Sequence, residues 1–408
     1  MTAARRTGRT GHSGSETDRP LACVVVNPSK HKATRAVGDL LGRRLREAGF
    51  RGPVWLETSG AEPGATQARL AVASGARLVV AAGGDGTVRS VAAGLASTPA
   101  ELGIMPLGTA NLAARNLGLP TTDLSQAAEV LACDSAGPCD LAWVSTDADD
   151  GADDGAPPGG PGGPAGETAT SAGAGGSPPP AGCDSWARPT LGREHACMVV
   201  AGIGFDAGLV AATRPMLKAR LGWGAYALAA MGNLRSPRMD LVLSLAGEPG
   251  SAHRPEAPAA PPAPGGRAAP SGTGPEGAAR GGAPGQAGRR VERLTARSLL
   301  VANGGRLPAG ITLLPRARLD DGLLDIAAID TVAGLVGWGS LARQVLPPYA
   351  AAYADPERAT GRVLLRQGND VTVRLAAPAL VEVDGDLLPP TRGVHVRLEA
   401  GALRIRRP

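Results

Sequence analysis

The apolar run Val79–Ala82 stops on Gly83-Gly84-Asp85-Gly86-Thr87, and a helix-like pattern follows. Glycines remove the Cβ barrier to positive φ and let phosphate oxygens approach backbone N–H groups. The N-terminus of the next helix adds partial positive charge. Asp85 is the unusual member, because a carboxylate repels phosphate unless a cation or a proton mediates. That points to a metal–nucleotide complex; the competing reading is a glycine-rich turn with an N-capping Asp. Small polar groups recur at three more strand ends: Asn27-Pro28-Ser29-Lys30-His31, Thr58, and a second turn with Gly108, Thr109 and Asn111. Turn chemistry explains each singly. Their convergence on one rim suits a ligand site at the carboxyl ends of parallel strands.

The elements that must hold this rim alternate along Leu21–Val144. "LACVVVNP" reads as a buried strand ended by Asn-Pro, and Ala33–Ala48 has helical spacing. "PVWLET" predicts a second strand, Pro63–Ser74 a helix, "RLVVAAGG" a third strand and about Thr87–Ala96 its helix. "LGIMPLGTANLAARNLGLP" adds a strand, a tight turn and a helix. This rhythm predicts an α/β domain with a mostly parallel sheet over residues 21–144. Residues 193–246 and 291–408 predict a second, mainly antiparallel β domain. It includes "HACMVVAGIG" as one strand and helices near Met216–Leu234 and Val332–Val345.

Residues 1–20, 145–192 and 247–290 lack hydrophobic periodicity. Their Gly, Pro and Ala content predicts a disordered tail and two disordered insertions. Aromatic residues make up only 2% of the chain, so the core is built from Ala, Val, Leu and Ile. The five cysteines are scattered without a C-x-x-C pair, which argues against a zinc site or disulfide framework and for a cytoplasmic setting. No apolar run is long enough to span a membrane, and the first residues do not read as a signal peptide. Net charge is +5, a mild excess that suits an anionic ligand or an anionic membrane surface.

"NPSK", "GGDGTV", "PLGTANLAARNLGLP", "AGIGFDAGLV", "LPRARLDDGLLDI" and "VEVDGD" occur in this order. The series resembles bacterial lipid kinases of the diacylglycerol kinase catalytic family, relatives of the sphingosine kinases. The resemblance implies an α/β nucleotide-binding domain, then a β-sandwich-like lipid-binding domain, with the active site in the cleft between them. It implies that Asn27–His31, Thr58, Gly84, Asp85, Gly86, Thr87, Val88, Arg89, Ser90 and Thr109 line an ATP site. It makes Asp321 a magnesium ligand, completed by the backbone carbonyls of Arg318 and Leu323; oxygen-only ligation suits Mg²⁺. It also assigns a base that takes the proton of a lipid hydroxyl. That residue is usually a glutamate; Asp386 stands there in this chain, with Asp384 as its competitor. Two further departures are Arg89-Ser90 where the family often has Asn-Glu, and Asn111-Leu112 where it often has Asn-Asp.

The function expected is ATP-dependent phosphorylation of a membrane lipid, diacylglycerol first, giving phosphatidic acid. The alternatives are an NAD kinase-like enzyme using the same loop and a non-catalytic nucleotide-binding regulator. The segment Thr213–Arg238 mixes Arg214, Lys218, Arg220, Arg235 and Arg238 with Leu217, Leu221, Trp223 and Tyr226. It reads as a helix over the β domain or as a contact with the anionic inner face of the cell membrane. No nucleic-acid partner is expected, and a homodimer is left open.

Overall fold

A computed structural model describes residues 19–149, 179, 185–204, 237–247, 289–306, 314–331 and 361–408. The first half alternates β1 (Leu21–Val26), α1 (Arg35–Glu47), β2 (Arg51–Glu57), α2 (Ala65–Ala73), β3 (Ala76–Gly83), α3 (Asp85–Leu95) and β4 (Glu101–Pro106). Two shorter helices follow, α4 (Leu112–Asn116) and α5 (Leu124–Ala132). The strands β2, β1, β3 and β4 lie side by side and parallel. β3 and β4 are covered on both faces, so they read as continuous apolar runs rather than alternating ones. On α1, Thr34 accepts a hydrogen bond from the Val37 N–H at 3.4 Å, and Arg44 and Arg46 occupy the last turn, where the helix dipole favours positive charge. Leu41 and Leu45 of α1 pack with Val24, Leu78 and Val80 of the sheet.

The second half is antiparallel, as its alternating runs predict. It comprises β5 (Ala136–Thr146), β6 (His195–Cys197), β7 (Val200–Gly204), β8 (Met239–Ala246), β9 (Arg290–Ala296) and β10 (Ser298–Ala302). It continues with β11 (Leu324–Thr331), β12 (Gly361–Gly368), β13 (Asp370–Val383) and β14 (Asp386–Arg406). "HACMVVAGIG" is two strands, not one: β6 pairs with β5, whereas β7 pairs with β10 and β13. "VTVRLA" and "ALVEVDG", which alternate as two separate short runs in the sequence, join in the single strand β13, with the register shifting between Arg374 and Ala379. Residues 145–149 and 185–192, which composition assigned to the first insertion, belong to this half. β5 runs through Thr146, and the Ala187 N–H donates to the Leu387 carbonyl at 2.8 Å. Most of the Thr213–Arg238 segment, the Val332–Val345 helix, and the bulk of the tail and insertions lie outside the described residues. No described helix is long and apolar enough to cross a membrane.

The two halves form one sheet. β14 begins beside β13, runs along β5, and ends parallel to β4, with Arg404 and Ile405 opposite Glu101 and Leu102. A buried ion pair stands at that seam. The Arg406 Nε donates to Glu101 Oε2 at 2.7 Å and Nη1 donates to the Leu131 carbonyl at 3.1 Å, with the guanidinium 5.2 Å from the Phe50 ring centre. Removing Arg406 leaves the buried Glu101 with only the half-exposed Arg77, 3.7 Å away, for a partner. Arg406→Ala should therefore cost about 3–5 kcal/mol of stability, read as a lower urea midpoint at unchanged slope. A loss below about 1 kcal/mol, the range of ordinary surface changes, would show that the pair does not seal the two halves.

Candidate active site

The four polar strand ends meet on one rim. Gly83 closes β3, and Gly84 is the N-cap of α3. A Cβ on Gly83 would lie 2.5 Å from the Thr87 Cβ, and one on Gly108 would lie 2.7 Å from the Gly84 Cα. The two glycine turns therefore touch backbone to backbone, and only glycine fits at either point. Gly84 makes no side-chain capping bond at the N-terminus of α3, which leaves the dipole of that end available to an anion. The Lys30 ammonium lies 3.8 Å from where a Gly84 Cβ would stand, so a cation faces the loop. The Asn27 Nδ2 donates to Thr87 Oγ1 at 3.3 Å, and Asn27 Oδ1 accepts from the Ser29 N–H at 3.0 Å and Oγ at 2.7 Å. Thr58 follows β2 and is buried, its N–H on the Val26 carbonyl at 2.9 Å. Pro28, Ser29, His31 and Thr109 are exposed.

Three expected members do not present their side chains to the rim. Asn111 adopts a left-handed conformation (φ 48°), and its amide is used inside its own turn. Oδ1 accepts from the Gly108 N–H and Nδ2 donates to the Gly108 carbonyl, each at 3.0 Å. Val88 packs into the core and can offer only backbone. Arg89 crosses to the second half. Its Nη1 donates to the Val383 carbonyl and its Nη2 to Asp386 Oδ2, both at 2.5 Å. Sequence reasoning placed Arg89 among nucleotide contacts, because nothing local shows that its partner lies 297 residues away.

The carboxylates divide by environment. Asp384 and Gly385 form a two-residue turn with φ of 50° and 91°, joining Val383 of β13 to Asp386 of β14. Positive φ at both central residues is the hairpin geometry that Asp-Gly favours. Asp384 is buried and accepts the N–H groups of Met198, Val199 and Val200 at 2.7, 2.9 and 3.0 Å. These bonds break the β6–β7 run. Burial pushes the Asp384 carboxyl up, against the pull of Arg89 and the three N–H groups. Asp386 is half exposed and lies 3.7 Å from the Cβ position of Gly86. Of the two acids in "DGD", one is committed to backbone and the other faces the glycine loop. Asp85 leads α3, and its Oδ1 accepts from the Ala113 N–H at the start of α4 at 3.4 Å. Burial and the nearby Asp384 charge push its pKa up to about 6, against the α4 N–H groups. Gly86, Arg89, Ser90, Trp186, Arg188 and Asp386 help to line a cavity of about 740 Å³ beside this cluster.

Asp321 stands apart, on the turn before β11. Its Oδ1 accepts from the Leu323 N–H at 3.1 Å, and burial followed by the Asp140 charge raises its pKa. Neighbouring Asp320 pairs with Arg318 and Arg407, so Arg318 directs its side chain to Asp320. Asp140, which sequence reasoning passed over, accepts from the Gly322 N–H at 2.8 Å and the Gly401 N–H at 2.7 Å. Hard oxygen donors amid this negative charge suit a divalent cation. Among the described residues no group of three or more His, Cys, Asp or Glu side chains gathers as a metal centre, so backbone carbonyls would have to complete the shell.

Residues 21–144 match the diacylglycerol kinase catalytic domain, and residues 198–407 match the YegS C-terminal NAD kinase beta sandwich-like domain. A protein of Xanthomonas campestris pv. campestris (strain 8004), named "Probable lipid kinase YegS-like", is 29% identical over 342 residues, 82% of this chain and 80% of that protein. A diacylglycerol kinase of Bacillus subtilis (strain 168) is 43% identical over 70 residues, 17% of this chain. That stretch covers only 23% of the Bacillus protein. The crystal structure of a diacylglycerol kinase from Bacillus anthracis str. Sterne shares the fold, with a TM-score of 0.55 at 15% identity over 96% of this chain and 97% of that one.

The Asp85 environment has a cost that pH exposes. A carboxyl whose pKa rises from 3.8 to about 6 on folding destabilises the fold wherever it must ionise, with no cost below the lower value and the full cost above the upper. Asp85→Asn keeps an acceptor for the α4 N–H groups and removes that charge. Without nucleotide or metal, the variant should gain about 1–3 kcal/mol at pH 8 and far less near pH 4.5, read from urea midpoints. A gain independent of pH would overturn this account.

Proposed function

Because the chain belongs to the lipid kinase family that joins a diacylglycerol kinase catalytic domain to a YegS C-terminal domain, we propose that it transfers the γ-phosphate of ATP to a membrane lipid hydroxyl. Diacylglycerol, giving phosphatidic acid, is the acceptor to test first. The observation that carries the reading is the approach of Asp386 to Gly86, an accessible carboxylate beside the glycine loop.

In this mechanism the bare N–H groups at the start of α3 and the Lys30 ammonium hold the ATP phosphates. Thr109 and Thr58 flank them on the rim. Asp386 takes the proton as the lipid oxygen bonds to the γ-phosphorus. The bond from that phosphorus to the β,γ-bridging oxygen breaks, and ADP leaves. Such transfer depends on positioning and charge stabilisation more than on covalent help from the protein. Mg²⁺ bound with the nucleotide supplies neutralising charge, with Asp85 the carboxylate at the loop to hold it. A second Mg²⁺ would be structural, held by Asp321 and the carbonyls of Arg318 and Leu323. The +5 net charge supports a peripheral setting at an anionic inner membrane face.

The test uses the full chain, labelled ATP, and phospholipid vesicles with or without diacylglycerol. Label should enter the lipid phase only when a lipid hydroxyl is present; NAD phosphorylation without vesicles would overturn the reading. Asp386→Asn should lower kcat by about 10²-fold or more and leave the ATP KM unchanged. Asp384→Asn should instead lose stability, because its amide nitrogen cannot accept the N–H groups it replaces a partner for. Near-normal turnover by Asp386→Asn would remove the base from this mechanism.

A further inference from the structure

Arg89 is the residue that physically joins the glycine loop to Asp386. It sits on α3 within five residues of Gly84, and its side chain is 7% exposed. One arm of its fork bonds the Val383 carbonyl and the other bonds Asp386 Oδ2. Its Nε is buried and has no hydrogen-bond partner among the described residues. The Asp386 side chain, by contrast, is 51% exposed and would sample several rotamers if nothing held it.

Resting on the reading of Asp386 as the base, we propose that Arg89 is its positioning residue. The guanidinium fixes the hairpin by the Val383 carbonyl and fixes the carboxylate by Oδ2, the oxygen that stands 3.7 Å from the Gly86 Cβ position, so that the second oxygen remains for the acceptor's proton. A planar fork makes both bonds at once, which a lysine ammonium on a flexible stem does less well. Arg89 touches no reacting atom in this role and acts through Asp386. The pair is also matched in length. Oδ2 already lies 2.5 Å from Nη2, so the extra methylene of a glutamate has to bend aside or displace the guanidinium. A misplacement of about 1 Å at such a group can cost about 10² in rate.

A double-mutant cycle on the full chain tests this, with vesicle assays for kcat and KM and a thermal melt for folding. Arg89→Asn should lower kcat by about 10–10²-fold while the ATP KM moves less than about twofold. In an Asp386→Asn background the same change should cost less than about twofold more, because its route to the chemistry is already gone. Should Arg89→Asn fail to fold, the swap of lengths decides. Asp386→Glu alone and Arg89→Lys alone should each lose turnover, and the two together should exceed the weaker single variant by about threefold or more. The proposal is overturned if the effects of Arg89→Asn and Asp386→Asn multiply, or if Arg89→Asn raises the ATP KM at unchanged kcat, as a phosphate ligand would. It is equally overturned if the Lys–Glu pair is no better than the weaker single. An inactive Asp386→Asn with a fully active Arg89→Asn defeats the positioning role alone. A fully active Asp386→Asn defeats the base reading and this proposal with it.

Discussion

Three backbone N–H groups, of Met198, Val199 and Val200, converge on the Asp384 carboxylate, and the geometry of the site depends on that convergence. An unpaired buried N–H costs roughly 1–3 kcal/mol, so three at one point force a partner. Asp384 can reach them only from the left-handed turn it occupies with Gly385. That turn makes the next residue, Asp386, the first of β14, directly opposite Val383. The buried acid that gathers these N–H groups and the half-exposed acid are thus only two residues apart, because the first lies in the turn, with positive φ, and the second opens the strand that follows.

Helix α3 then connects the two functions. Its N-terminus offers the N–H groups of the glycine loop, and its second turn carries Arg89 to the hairpin. A rigid helix sets the separation of the glycine loop and Asp386 more tightly than a loop would. Asp85 stands between these fixtures, where burial and Asp384 disfavour its charge. Raised carboxyl pKa values of this kind gather where a bound cation or proton is expected to compensate.

Much of this was legible in the sequence. The βα rhythm, the glycine rim and the antiparallel second half follow from periodicity and from turn residues, which are local signals. The Asp384-Gly385 hairpin was legible too, since Asp-Gly between alternating apolar residues is a strong local sign; it was read only as the end of a strand. The rest was not legible because a side chain is consumed by its own turn or because its partners are remote. Asn111 looks like a rim amide until its own turn consumes both ends of it. Asp140 looks like any strand aspartate until Gly322 and Gly401 bring their N–H groups to it. Arg89 and Asp386 look like two separate departures from the family resemblance; in the fold they are in contact.

Strand β14 explains why that contact can be held constant. It starts at Asp386 and ends beside β4, and β4 in turn leads to the Gly108 turn that packs on Gly84. A closed circuit therefore runs from Asp386, along β14, across to β4, through Gly108 to the glycine loop, along α3 and back through Arg89. Each link is a hydrogen-bonded strand pair, a helix, a backbone packing contact or a bidentate side chain. The distance between the loop and Asp386 is set by all these links together. Cores and ladders of this kind resist continuous deformation. A cavity of about 740 Å³, bounded in part by Trp186 and Arg188, opens beside this circuit.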